Sequence, residues 1–140
     1  MQAIPTIYFP GLCAEALSFY RDVLHAEVLF QLTTVPDGPP QYLEPGSPGM
    51  IVRAGLRVGA TTLYLSGAEH AGELAFRGFS VSLQLASADE AARVLQALGE
   101  GGTIRVPLRA TTLAGHYGVV IDRFGLHWTI EAGGTYARAA

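Results

Sequence analysis

"EALSFYRDVLHAEVLF" (residues 15–30) and "EAARVLQALGEGGTIR" (residues 90–105) decide the fold of this 140-residue chain. Each begins as a helix and ends as a strand. In the first, Ala16, Phe19, Tyr20 and Val23 recur at i, i+3, i+4 and i+7, which puts an apolar stripe on one helical face. In the second, Ala91, Val94, Leu95 and Leu98 form a similar stripe. Ser87 stands three residues before Glu90, the spacing at which a hydroxyl caps a helix N-terminus. "GEGG" (99–102) stops that helix. Identity between the two stretches is weak, but the order of elements around them repeats.

Ahead of the first helix, "IPTIYF" (4–9) reads as a strand ended by Pro10-Gly11. After it come "AEVLFQL" (26–32), then "MIVRAGLRV" (50–58) and "TTLYLS" (61–66), a hairpin about Gly59-Ala60. Ahead of the second helix, "FSVSLQLA" (79–86) alternates as a half-buried strand does. "TIRVPL" (103–108) follows as a strand, "RATTLAG" (109–115) as a loop, and "HYGVVI" (116–121) with "LHWTIE" (126–131) as a hairpin about "DRFG" (122–125). Each half therefore runs strand, helix, strand, strand, strand. We expect an α+β fold in one domain over 1–140, with module 1 about 1–67 and module 2 about 78–134, joined by "GAEHAGELAFRG" (67–78). "TTVPDGPPQYLEPGSPGM" (33–50) holds five of the eight prolines and is expected to be a long loop, a surface insertion or a functional one.

Composition narrows the partners. Hydrophobic residues are 49% and charged residues 15%, which favours a compact globule over a disordered chain. All nine basic residues are arginine and they are scattered, so a basic stripe for nucleic acid is not expected. Lysine and asparagine, whose codons begin with two adenines, are absent, which points to a GC-rich, bacterial genome. A single cysteine, Cys13, allows no intrachain disulfide and fits a reducing compartment. "MQAIPTIYFPG" (1–11) lacks the layout of a signal peptide, and no run approaches the roughly 18 apolar residues of a membrane span. A cytoplasmic location is expected, with no membrane partner.

Three stretches, "FPGLCAEALSFY" (9–20), "GGTIRVPL" (101–108) and "HYGVVIDRFGLHWTI" (116–130), carry a family likeness. With the repeated order of elements, they make the chain resemble the vicinal oxygen chelate superfamily (glyoxalase, bleomycin-resistance and extradiol dioxygenase proteins), in its PhnB-like branch. The resemblance implies two βαβββ modules whose curved, mostly antiparallel sheets form a cup with the helices outside. It also implies a homodimer. In metal-dependent members a divalent ion sits in the cup, held by His, Glu or Gln from four strands. By the resemblance those positions fall near Pro5 or Thr6, at Leu63 or Tyr64, near Phe79 to Ser82, and at Thr129; none carries the usual ligand. No metal or other cofactor is therefore expected. In the third strand, where the branch often has a histidine, stands Arg53, whose fork suits a carboxylate or phosphate but which equally fits a surface arginine.

The stretch "HYGVVIDRFGLHWTIEAGG" (116–134) holds the remaining chemistry. His127, Thr129 and Glu131 share one side of a strand, Trp128 and Ile130 the other. His127 and Glu131 lie about 13 Å apart at ~3.3 Å per residue, too far for one ion. If "DRFG" is a four-residue turn, Ile121 pairs with Leu126 and His116 with Glu131, their Cβ atoms roughly 5 Å apart. That pair reads either as a proton-transfer couple or half of a displaced metal site, or as a rim ion pair worth at most ~1 kcal/mol. Tyr64, Tyr117 and Thr129 are expected to line the ligand site with Arg53. Trp128 reads as core or subunit contact, Cys13 as buried or as a helix-terminal thiol, and His25 and His70 as solvated. Two functions follow. One is a small-molecule-binding protein of the sequestering or resistance kind, without the usual metal. The alternative is a metal-dependent lyase, isomerase or dioxygenase with a rearranged site.

Overall fold

The computed structural model describes residues 1–34, 37–68, 75–112 and 115–133. Its elements are β1 (Thr6–Tyr8), α1 (Cys13–Leu24), β2 (Glu27–Thr33), β3 (Gln41–Leu43), β4 (Arg53–Val58), β5 (Thr61–Ser66), β6 (Val81–Leu85), α2 (Ala88–Gly99), β7 (Thr103–Thr111), β8 (Gly115–Ile121) and β9 (His127–Gly133). They form two compact units, Met1–Leu74 and Ala75–Ala140. Among the described residues each has one sheet and one helix, so the α+β, two-module reading holds. His70 and half of the expected linker, residues 69–74, lie outside the described residues.

In the first unit the sheet runs β1-β5-β4-β2-β3, with β1 parallel to β5 and the other pairs antiparallel. Helix α1 contacts β2, β4 and β5. Ala16, Leu17 and Tyr20 of α1 are buried, as are Ile7, Ala54, Leu56, Leu63 and Leu65, which alternate along their strands onto one face. Burial of each larger aliphatic side chain contributes roughly 1.5–3 kcal/mol. The proline-rich stretch is not wholly loop. Between Pro40 and Pro45 the segment Gln41–Leu43 pairs with Thr33–Gln31 as a short edge strand. Gln31, 1% exposed on the helix-facing side, explains the anchoring. Its amide donates to Ser47 O at 3.0 Å and accepts from Gly46 N, which ties the stretch to the core.

In the second unit the order is β6-β9-β8-β7, with β6 parallel to β9. Ser87 Oγ accepts from Glu90 N at 3.2 Å, so the expected cap is formed. Val120, Trp128, Ile130 and Ala132 are buried. Gly118 lies on the same face, where an added Cβ would stand 3.2 Å from Leu95 of α2. Strand β7 continues to Thr111, so "RATTLAG" is not simply a loop: Arg109, Ala110 and Thr111 pair with Tyr117, His116 and Gly115. Register shifts around Val106 accommodate Pro107, whose missing N–H is tolerated on this edge strand.

The β8–β9 turn differs from the expected one by a residue. Gly125 N donates to Asp122 O at 2.9 Å, and Asp122 N donates to Leu126 O at 2.9 Å. Gly125 takes φ 90, the left-handed conformation that glycine adopts without a Cβ clash. The loop is thus Arg123–Gly125, a turn with a glycine bulge, and Asp122 rather than Ile121 faces Leu126. Ile121 then pairs with His127, Tyr117 with Glu131, and His116 with Ala132.

Candidate functional site

Each sheet has a face that α1 or α2 does not cover, and most of the sequence-predicted site residues stand on these faces. In the first unit, strand pairing sets Thr6, Tyr64, Gly55 and Phe30 in one row across the sheet. The next row is Tyr8, Ser66, Arg53, Leu32 and Tyr42. Arg53 and Tyr64 come together as neighbours: the guanidinium carbon lies 5.0 Å from the ring centroid. Phe30 meets the same ring edge-on at 5.4 Å. Gly55 makes room for it, since a Cβ there would lie 2.5 Å from Phe30 Cε1. Phe30 was not singled out in the sequence, where strand aromatics have no feature that separates floor from core.

In the second unit the helix-free face carries the row Gln84, Glu131, Tyr117, Arg109 across four strands. Beside it runs the row Ser82, Thr129, Val119, Val106. Thr129 shares a hydrogen bond of 2.9 Å with Ser80. Thr129 and Glu131 therefore share a face, as expected, Tyr117 joins them on it, and all three are half-buried. His116 does not join them. The bulge at Gly125 turns it to the helix-bearing side, opposite Ala132 and Ala110. The His116–Glu131 couple is thus corrected: a one-residue shift moves a strand side chain to the other face. Tyr117 and Gln84 take the places beside Glu131 instead, and Arg109 stands beyond Tyr117 in the same row. Arg109 was missed because Pro107 breaks the alternation that would have carried the strand past it.

The superfamily's metal positions can be tested on this geometry. Thr6 and Tyr64 are direct neighbours on the helix-free face, whereas Leu63 is buried on the other side. Thr129 lies beside Ser82 and bonds Ser80. Thr6, Tyr64, Ser80, Ser82 and Thr129 all carry hydroxyls. A divalent ion wants carboxylate, imidazole or thiolate donors at about 2.0–2.6 Å, and neutral hydroxyls do not supply that set. Among the described residues, no group of three or more His, Cys, Asp or Glu side chains is placed to hold a metal. These residues do not fit the superfamily's ion.

Other candidates fall away from these faces. Trp128 is fully buried and donates its indole N–H to Asp122 at 2.8 Å, which makes it core. Cys13 is 2% exposed, and burial pushes its thiol up to about 11. His25 closes α1 in a left-handed conformation and is exposed. A cavity of about 200 Å³ lies between α1 and the 46–51 segment, lined by Ser18, Arg21, Gln31 and Ser47 among others. It is smaller than the roughly 300–1,000 Å³ usual for ligand pockets and is bordered by the helix side of the sheet.

Comparison with known proteins agrees with this architecture. Protein PA1353 from Pseudomonas aeruginosa is 32% identical, with a TM-score of 0.71 over 94% of this chain and 97% of its own. A putative 3-demethylubiquinone-9 3-methyltransferase, the PhnB protein of Bacillus cereus, shares 18% identity and a TM-score of 0.74, covering 95% and 100% of the two chains. The genomically encoded fosfomycin resistance protein FosX of Listeria monocytogenes shares the fold at 15% identity and a TM-score of 0.63, covering 99% and 97%. The family model described as 3-demethylubiquinone-9 3-methyltransferase matches residues 1–131, nearly the whole chain. With two βαβββ-type modules, the PhnB-like motifs and that match, the chain belongs to the PhnB-like 3-demethylubiquinone-9 3-methyltransferase family, within the vicinal oxygen chelate fold.

Proposed function

We propose that this protein binds a small organic molecule on its helix-free sheet faces, in the manner of a sequestering or resistance protein, without the superfamily's usual metal. The observation that carries this reading is the substitution of hydroxyls at the metal positions, Thr6 beside Tyr64 and Ser80 bonded to Thr129. Hydroxyls and half-buried aromatics orient a ligand by hydrogen bonds and shape, as ligand sites with few polar anchors do. The rearranged-enzyme reading loses its best support, because His116 and Glu131 stand on opposite faces of the sheet.

Two measurements test the proposal. Freshly purified protein should contain less than stoichiometric metal, and Zn, Mn, Fe, Co or Ni should leave its melting temperature unchanged. Stoichiometric metal, or a rise of several degrees with one ion, would count against it, since binding to the native state stabilises by mass action. A panel of neutral and acidic small organic molecules should then include compounds that raise the melting temperature without added metal. The family's name describes methyl transfer. Turnover with a sulfonium methyl donor would replace the binding-protein reading by that one.

A further inference from the structure

The two arginines of β4 differ in a way that selects among ligands. Arg53 and Arg57 both stand on the helix-free face, four residues apart along the strand. Arg57 is neutralised: its Nη2 and Nε reach one carboxylate oxygen of Glu27 at 2.7 and 3.2 Å, across the strand pair. Arg53 is exposed, and no carboxylate lies within ion-pair distance of it among the described residues. Its neighbours in the row are Ser66 and Leu32, which cannot supply a counter-charge. What stands beside it is aromatic. The Tyr64 ring holds the guanidinium at 5.0 Å, and Phe30 braces Tyr64 at 5.4 Å over Gly55. An arginine stacked on an aromatic face loses little hydration and keeps its donor fork free for a planar or tetrahedral anion.

We propose that Arg53, Tyr64 and Phe30 form a subsite for an organic anion: a carboxylate or phosphonate head on the Arg53 fork, with a flat apolar body against the Phe30–Tyr64 floor. This deepens the small-molecule reading above and rests on it. The charge comes from one residue and the apolar contact from two others. Head and body are therefore both required, and neither acetate nor an uncharged aromatic is a full ligand.

The test is calorimetric titration of the full chain with 2-naphthoate, phenylphosphonate, acetate and 2-naphthalenemethanol. The wild-type protein should bind at least one of the two aromatic anions, and both acetate and the alcohol should be weaker by about tenfold or more, the scale of one charge-assisted contact. Preference for naphthoate assigns a planar head, and preference for the phosphonate a tetrahedral one. Arg53→Gln should lose about tenfold or more in affinity for the favoured anion, while Arg57→Gln should leave it within about twofold. Phe30→Leu should weaken both anions while preserving their salt dependence, because it removes floor and not charge. Unchanged affinity in a folded Arg53→Gln protein overturns the subsite, as does failure of both aromatic anions to bind at millimolar concentration. If the neutral members of the broader panel raise the melting temperature while every acid fails, the anion subsite is wrong and the small-molecule reading stands. If no compound of either sign does so, both are wrong.

Discussion

Asp122 is 2% exposed and has a buried carboxylate that organises the last hairpin. It accepts from Phe124 N at 2.9 Å, Leu126 N at 3.1 Å and Trp128 Nε1 at 2.8 Å. Asp122→Ala removes all three bonds and strands a buried indole N–H, so urea denaturation should show a loss of about 2–4 kcal/mol. A loss below about 1 kcal/mol would contradict this role. Cys13 offers a pH signature. Its thiol is held neutral by burial, raised from 9.0 to about 11. The unfolded chain therefore loses this proton first, and the associated stability is full below pH 9 and declines as pH climbs toward 11. Wild type should lose more stability than Cys13→Ala across that window, and its native thiol should resist alkylation at pH 8. Equal slopes for the two proteins would refute the link. Sequence alone showed Asp122 as a turn residue and Gln31 as one polar letter in an apolar strand. Neither letter reveals that its side chain bridges back to backbone several residues away, which is a matter of packing.

The turn between β8 and β9 governs which side chains share a face. Gly125 at φ 90 has no atom closer than Phe76 Cδ2, 3.8 Å from where a Cβ would sit. The obstacle to substitution is therefore backbone conformation and not space. Gly125→Ala should cost about 1–2 kcal/mol, the price of a left-handed residue with a side chain, and Gly125→Asn less. Thermal or urea unfolding of both variants measures it, and an equal cost would point to some other cause. The helices were legible because their apolar stripes recur at a fixed period, and the cap at Ser87 because its spacing is local. The register was not, because "DRFG" shows that a glycine is present without showing its φ. That single angle separates the His116–Glu131 pairing from the observed Tyr117–Glu131 pairing. Accordingly His116→Ala should leave ligand affinity unchanged, whereas Glu131→Gln, on the helix-free face, should alter it. Titration with whichever panel compound binds decides between them, and the reverse pattern would restore the histidine.

For the molecule as a whole, the repeat was the readable part: two helices with strands in the same order predict two modules. The ligand was not readable, since rows such as Gln84, Glu131, Tyr117 and Arg109 are assembled from four separate strands. Among the described residues no helix is long and apolar enough to cross a membrane. We propose a homodimer, although not through Trp128, which is fully buried. Among the described residues, Tyr42 at 79% exposure, Met50 at 71% and Phe79 at 48% are three of the large apolar side chains open to a partner, with Met1 and Leu12. Light scattering at micromolar concentration should return twice the mass of one chain, and Tyr42→Glu or Phe79→Glu should shift it toward one. A single-chain mass for the wild type would end the proposal.

Both units pair their first strand in parallel with their last, β1 with β5 and β6 with β9. This has a consequence for synthesis on the ribosome. Thr6–Tyr8 emerges early yet finds its partner only when Thr61–Ser66 is made, and at about 5–20 residues per second that wait lasts several seconds. The nascent N-terminal segment spends the interval as an unsatisfied strand, open to proteases and chaperones. Chains stalled before Ser66 has cleared the exit tunnel should be digested readily, and chains stalled beyond it should not.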